Sequence, residues 1–275
     1  MTEQKNNNIK TVTNPVTREA LINTLRGLGV TGNQILEVHS SLSSFGYVVG
    51  GARTIVDALM EIAEPGGTIL MPTQTTENSE PGNWVDPAVP AYMYKEIRAA
   101  MPPYDSRKSD LRKMGEVVEN FRHREGVVIS NHPAVSYAAW GRYARLLCNR
   151  QSMHFPLAEE SPCARLYELK GYVLLLGTDF DTCTCMHLAE YRCDCRPIVI
   201  SGACMNTKDG PQWTKYLDLN IDSEVFSKVR QILVRKKMIR ETTLGGCRIQ
   251  FFPAAAAIDE AVRYFDKTVV YDLYR

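Results

Sequence analysis

Residues 35–71 read ILEVHSSLSSFGYVVGGARTIVDALMEIAEPGGTILM, and this stretch settles the fold class. Ile35 to Val38 is a short apolar run of strand type. It opens into a loop rich in serine and glycine, His39 to Gly51. A helix begins near Arg53 and Thr54, with Ile55, Val56, Leu59 and Ile62 on its buried stripe. Pro65-Gly66-Gly67 stops that helix, and Thr68 to Met71 is a second strand. Strand, loop, helix and strand in succession form the building unit of α/β proteins.

The flanking sequence extends the unit. Thr17 can cap a helix in which Ala20, Leu21, Leu25 and Leu28 recur at helical spacing, closed by Gly27 and Gly29. Gly115 to Arg122 reads as a short helix and Val127 to Ile129 as a strand. Asn131-His132-Pro133 forces a turn, after which a helix is expected through Ala138, Ala139 and Tyr143. Pro197 to Cys204 and Gln212 to Leu217 read as a hairpin around Lys208-Asp209-Gly210. Asp222 caps a helix with Val225, Val229 and Leu233 buried, Arg248 to Phe252 is a last strand, and Ala254 to Phe265 a last helix. Residues 73–104, rich in Pro, Asn, Gly and aromatics, form a long loop of the kind that is usually functional. With no internal repeat and no linker, residues 15–275 are expected to form a single compact α/β domain with a mixed central sheet flanked by helices. Residues 1–14 read as a flexible polar tail.

Composition narrows the function. Lys and Arg number 32 against 31 Asp and Glu, with no basic block, which argues against nucleic-acid binding. No apolar run approaches the ~20 residues that cross a bilayer, and the N-terminus lacks a signal-peptide core. The expected location is the cytoplasm, where the eight cysteines would be reduced thiols. Cys183, Cys185, Cys193 and Cys195 are close together beside His187, but two C-x-C pairs do not match the usual zinc spacing, and no metal is expected.

The densest chemistry lies in 174–192, LLLGTDFDTCTCMHLAEYR. An apolar run ends at Gly177, a polar turn follows, and a histidine stands near a helix start. Asp181, Thr184 and His187 are spaced three apart, so one helical turn sets a carboxylate, a hydroxyl and a base on one face. The plain alternative is an Asp or Thr cap opening a helix that packs its histidine. The His39–Gly51 loop, running straight into a helix, could cradle a phosphorylated ligand with its hydroxyls and free N–H groups. It is, however, neither a dinucleotide fingerprint nor a Walker loop. His132 before a proline reads as structural, Ser136 as able to bond either a ligand or the backbone, and Glu159-Glu160 as acids at a helix start.

Taken together, Val38-His39-Ser40-Ser41-Leu42 with Gly46 and Gly50-Gly51, Met71-Pro72-Thr73, Met114-Gly115, Asn131-His132-Pro133 with Ser136 and Gly141, Glu159 with Ser161-Pro162, Leu174 to Arg192, and Gly245 to Arg248 resemble the aminoglycoside 3-N-acetyltransferase family. The resemblance runs in order along nearly the whole chain. It implies transfer of an acetyl group from acetyl-coenzyme A, as co-substrate, to the 3-amino group of the 2-deoxystreptamine ring. His187 matches the family's base, and Glu159 and Asp181 match acidic positions near it, with Thr184 or a backbone N–H supporting the oxyanion. Ser40, Ser41, Leu42, Ser43, Gly50, Gly51 and Thr54 would hold coenzyme A, with Ser136 and Arg112 as further contacts. The long loop, on the substrate side, and the acids Asp86, Glu159, Glu160, Asp179 and Glu190 would receive a polycationic sugar. Ile129 stands where the family tends to have arginine, and Cys185 where serine is common. The sequence leaves open another amine metabolite or amino sugar as acceptor, a non-catalytic coenzyme A or polyamine binder, a zinc hydrolase, and monomer against homodimer.

Overall fold

The apolar run at the head of the quoted stretch is strand β1, Ile35–Ser40, near the middle of the sheet. Its side chains alternate, with Leu36 and Val38 entering one core while Ile35 enters the other. Helix α2, Gly51–Ala63, carries the chain to β2, Thr68–Gln74, which pairs with β1 in parallel. β5, Tyr172–Leu176, pairs in parallel along the other side of β1. β4, Val135–Gly141, lies antiparallel on β2, and β9, Cys247–Pro253, antiparallel on β5. β3, Val128–Ile129, and β8, Arg240–Leu244, form the edges of a seven-stranded mixed sheet in the order β3-β4-β2-β1-β5-β9-β8. This computed structural model describes residues 14–268 apart from 76, 85, 112 and 113, so the polar tail up to residue 13 and Arg112 lie outside the described residues.

Helices cover both faces. On one lie α1, Arg18–Gly27, whose N-cap Thr17 accepts a hydrogen bond from the Ala20 amide, then α2, and α4, Glu116–Arg122. On the other lie α5, Ala144–Cys148, α6, Pro162–Glu168, α7, Leu188–Tyr191, α8, Phe226–Arg235, and α9, Ala254–Thr268. The α/β class, the mixed sheet and the flanking helices agree with the sequence. β5 shows why its apolar run is unbroken: Leu174 and Leu176 fill the first core, Val173 and Leu175 the second.

Two segments depart from expectation. The helix expected through Ala138 and Ala139 is strand β4, buried along most of its length and paired residue by residue with β2. Alanine spacing suggests a helix, but a strand hemmed in on both faces takes small residues, and packing overrides propensity. The long loop is shorter than the sequence implies, because β2 runs to Gln74 and α3, Tyr94–Ala100, forms within it. The loop docks on the hairpin of β6, Ile198–Thr207, and β7, Gly210–Leu219. The Asn78 side chain holds both the N–H and the C=O of Cys204, at 2.7 and 2.9 Å.

Candidate active site

β1, β2 and β5 are mutually parallel, so their carboxyl ends meet at one edge of the sheet, where open α/β folds hold their ligands. A cleft of about 360 Å3 lies there. Its walls include His39 and Ser40 from the end of β1, Pro72 and Gln74 from β2, and Thr178, Asp181, Thr182, Thr184 and His187 after β5.

Past β5 the chain makes single turns of 3-10 helix at Phe180–Thr182 and Thr184–His187 before entering α7. Three residues per turn stacks every third side chain, and Asp181, Thr184 and His187 all line the cleft. The next step in that series is Glu190, and its Oε2 makes a short hydrogen bond with His187 Nδ1. Glu190 is fully buried. Its other oxygen accepts from Arg196 Nε at 2.6 Å and from the Asp222 amide at 2.9 Å, while Arg196 also donates to the Asp222 carbonyl. The imidazole packs against Phe226 with ring centroids 4.9 Å apart. These contacts fix both members of the pair. Thr184 Oγ1 accepts from Gln74 Nε2 at 3.4 Å, which leaves its own proton free to donate.

The carboxylate on the imidazole is therefore Glu190 rather than Glu159 or Asp181. Glu159 is taken up at the surface, where both of its oxygens accept from Arg192, at 2.7 and 3.0 Å, and that guanidinium lies over the Tyr167 ring. The Arg192 hydrogen bond holds the Glu159 carboxyl below its usual range. Asp179 caps the Phe180 turn and pairs with Arg248 and Arg230. Glu160 and Asp86 are exposed, and neither lines the cleft. Asp181 alone among the nominated surface acids faces the cleft without a cation paired to it among the described residues.

Of the residues nominated for coenzyme A, Ser40 lines the cleft, and its hydroxyl, like that of Thr178, is buried without a hydrogen-bond partner among the described residues. Ser41 and Ser43 pair their hydroxyls at 3.3 Å on the turn Leu42–Phe45. Gly50 caps α2 in the left-handed region at φ 81°, Gly51 follows at φ 61°, and Thr54 ties the turn by donating to the Val49 carbonyl. Orphan hydroxyls on the wall and an open glycine turn at the start of a 13-residue helix suit a long ligand that ends in phosphates. Ser136 does not belong to this group. It sits inside β4, buried, its hydroxyl shared with Thr73 and Tyr104 at 2.9 Å each. Ile129 packs from the edge strand against the first core.

Sequence reasoning does not single out Arg196 or Glu37. Glu37 is a carboxylate within an apolar strand, and that is the signal by which it could be found. It is fully buried, accepts from Tyr137 OH at 2.9 Å, and lies 3.4 Å from His39 Nε2. Burial pushes its carboxyl up, yet the neighbouring His39 and the hydrogen bonds from Cys185 and Tyr137 bring it below its usual value.

Known proteins carry the same frame. The family model for aminoglycoside 3-N-acetyltransferases matches residues 38–266. The prophage-derived aminoglycoside N(3')-acetyltransferase-like protein YokD of Bacillus subtilis is 37% identical over 94% of this chain and 95% of its own, and its crystal structure superposes with a TM-score of 0.90. The aminoglycoside acetyltransferase AAC(3)-Xa is 30% identical, with a TM-score of 0.85 over 94% of this chain and 95% of its own. AAC-IIIb, solved as a binary complex with CoASH, is 26% identical, with a TM-score of 0.82 over 94% of this chain and 99% of its own. The strand order, the cleft at the parallel strand ends and these matches along the chain's length agree: this protein belongs to the aminoglycoside 3-N-acetyltransferase family.

Proposed function

We propose that the protein transfers the acetyl group of acetyl-coenzyme A to the 3-amino group of a 2-deoxystreptamine aminoglycoside, with His187 as general base. The observation that carries this reading is the His187–Glu190 pair on a cleft built from three parallel strand ends. Acetyl-coenzyme A supplies an electrophilic carbonyl with a good leaving group, and the complex of AAC-IIIb with CoASH supports that choice of donor.

The protein's own part follows from the hydrogen bonds. With Nδ1–H donated to Glu190, the imidazole presents Nε2 to the cleft, and among the described residues no protein group bonds it. An aminoglycoside amine is mostly protonated at neutral pH and must lose a proton to become a nucleophile, which Nε2 can accept. Glu190 holds the tautomer and balances the imidazolium that forms, while Arg196 and the Asp222 amide keep that carboxylate in place. The Thr184 hydroxyl would donate to the developing oxyanion. Ser40, Thr178 and the turn through Gly50 and Gly51 would hold the donor, and Asp181 would receive an ammonium group of the acceptor. Residues 15–275 act in this reading as one acetyltransferase domain. The eight cysteines, all free thiols, suit the reducing cytoplasm. Among the described residues no helix is long and apolar enough to cross a membrane.

A thiol-release assay with acetyl-coenzyme A and a panel of aminoglycosides tests the proposal. Release with polycationic aminoglycosides, and a product acetylated at the 3-amino group by NMR, is the expected result. Acetylation of neutral or monocationic amines alone would replace the aminoglycoside with a small-metabolite acceptor. No release with any amine would refute the enzyme.

A further inference from the structure

Where His39 forms part of the cleft wall, a group of side chains runs inward that the acetyl-transfer reading does not use. β1 alternates, so Glu37 and His39 point to the same face as Ile35. The segment that follows the Phe180 turn lays Cys183 and Cys185 against them. One donor atom each from Glu37, His39 and Cys183 lie within 4.8 Å of one another, and all three residues are buried. We propose that Glu37, His39 and Cys183, with Cys185 as the neighbouring thiol, bind a divalent transition metal of the zinc class and so clamp β1 to the segment that carries His187. This departs from the expectation of no metal drawn from the C-x-C spacing, because a strand of remote sequence supplies the other donors.

Glu37, His39 and Cys183 supply three donors close enough to serve as corners of a tetrahedral site. Zinc bonds to carboxylate, imidazole and thiolate are about 2.0–2.3 Å long, which separates neighbouring donors by roughly 3.3–3.8 Å. Here His39 Nε2 lies 3.4 Å from Glu37 Oε2, inside that range, and Cys183 Sγ lies 4.0 Å from the same oxygen, a few tenths of an ångström beyond it, with Cys185 Sγ 3.7 Å from Cys183 Sγ beside the cluster. His39 is only 8% exposed, and apart from this 3.4 Å approach to Glu37 its Nε2 makes no hydrogen bond of good geometry among the described residues. Tyr137 OH occupies the other oxygen of Glu37, at 2.9 Å, and fixes the carboxylate with Oε2 toward the histidine and the thiol, as outer partners of metal ligands commonly do. Charge also balances. On binding, the Cys183 thiol gives its proton to solvent, the neutral imidazole lends a lone pair, and carboxylate plus thiolate neutralise the dication. Imidazole and thiolate together favour zinc over magnesium or calcium.

The test uses the whole protein, kept reduced, loaded with zinc or cobalt(II) and dialysed against metal-free buffer. Metal analysis should find a stoichiometric ion. The cobalt form should show tetrahedral d–d bands with a thiolate-to-metal charge-transfer band. Cys183→Ser should abolish that band and Glu37→Gln should weaken it, whereas Cys193→Ser should leave it intact. Removing the ion with a chelator should lower Tm, and zinc should restore it. Should the serine variant fail to fold, X-ray absorption on the wild-type zinc protein decides, since the site requires both sulfur and nitrogen or oxygen in the coordination sphere. The proposal is overturned if folded wild-type protein retains no metal, if its zinc has no sulfur ligand, or if the band survives in Cys183→Ser and vanishes in Cys193→Ser. The last result would assign the ion to the Cys193–Cys195 pair, and the first would leave a thiol–carboxylate hydrogen-bond network in its place.

Discussion

A single imidazole carries the proposed chemistry, and its neighbours make its behaviour testable. Replacing His187 with alanine should leave the circular dichroism spectrum unchanged and lower kcat by about 10²-fold or more, the scale of a lost general base. Glu190→Gln should cost a similar factor, because an amide cannot hold the imidazole as a carboxylate does. The double variant should be little worse than either single one, since the two groups act as a unit. Unchanged kcat in a folded His187→Ala protein would remove the residue from the mechanism. Glu190→Gln should also destabilise the fold, by about 1–3 kcal/mol, because the largely buried Arg196 keeps only its longer 3.5 Å pair with Asp222. His132 belongs to a different account. Its Nδ1 accepts from the amides of Ala134 and Val135 at 3.2 and 3.1 Å, which requires the neutral ring, and burial pushes its pKa down to about 4. The unfolded chain, with a histidine pKa near ~6.5, takes up a proton first as pH falls. Stability from this residue is therefore complete above about pH 6.5 and is lost progressively toward pH 4, by about 3 kcal/mol in all. Urea titrations between those pH values should show the loss. It should shrink in His132→Asn, whose side-chain oxygen can accept the same amides without titrating.

At the scale of elements, the loop after β1 and the end of β5 depend on one another. Gly177, which closes β5 at φ 72°, stands where a Cβ would lie 1.7 Å from Ser44 Oγ in that loop. Gly177→Ala combines a left-handed backbone with a clash, and should cost roughly 2–4 kcal/mol by chemical denaturation. A loss below the noise of that measurement would mean the loop is free to move aside. Gly50 tests the donor site instead. A Cβ there would meet Thr54 Oγ1 at 2.6 Å, at the point where the chain turns into α2. Gly50→Val should weaken coenzyme A binding by about tenfold or more while the protein stays folded, as a side chain blocks close approach of the backbone. Unaltered affinity by isothermal titration would place the cofactor away from this turn.

For the whole molecule, the near-neutral net charge of +1 conceals an uneven distribution of acids. Glu159 and Asp179 are already neutralised by arginines, and Glu190 is committed to His187. Among the described residues, Asp181 is the cleft-wall carboxylate with no paired cation. A polycationic acceptor should therefore feel Asp181 more than Glu159. Asp181→Asn should raise the aminoglycoside KM by several-fold, and Glu159→Gln should change it less. Added salt should raise the same KM, because an exposed carboxylate and a solvated ammonium are screened over about a Debye length of 10 Å at 0.1 M. The KM for acetyl-coenzyme A should follow a different salt dependence. Equal responses of both substrates, or none for the aminoglycoside, would count against an acidic acceptor site.

Local pattern alone suffices for the strand–loop–helix unit of 35–71, the Thr17 cap, the hairpin around Asp209 and the placement of His187 after a glycine-ended strand. Each of these depends on residues a few positions apart, where periodicity and turn chemistry act directly. The spacing of three by itself brings Asp181, Thr184 and His187 into one row. What that row does not say is which acid completes it, since Asp181 and Glu190 both stand at a multiple of three from the others. Glu190 holds the position because Arg196 and the Asp222 amide meet it in the interior, and those contacts exist only once α7, β6 and the start of α8 are packed. Strand β4 is illegible for the same reason: its partner β2 lies 63 residues back at the Thr73–Ser136 contact, and isolated alanines do not announce a remote strand. Glu37 meets Cys183 across 146 residues. The sequence by itself determined most of the elements and the position of His187, whose causes are local. The tertiary structure decided the partners of that imidazole and the cluster of Glu37, His39 and Cys183, because burial and approach between distant segments are properties of the packed chain.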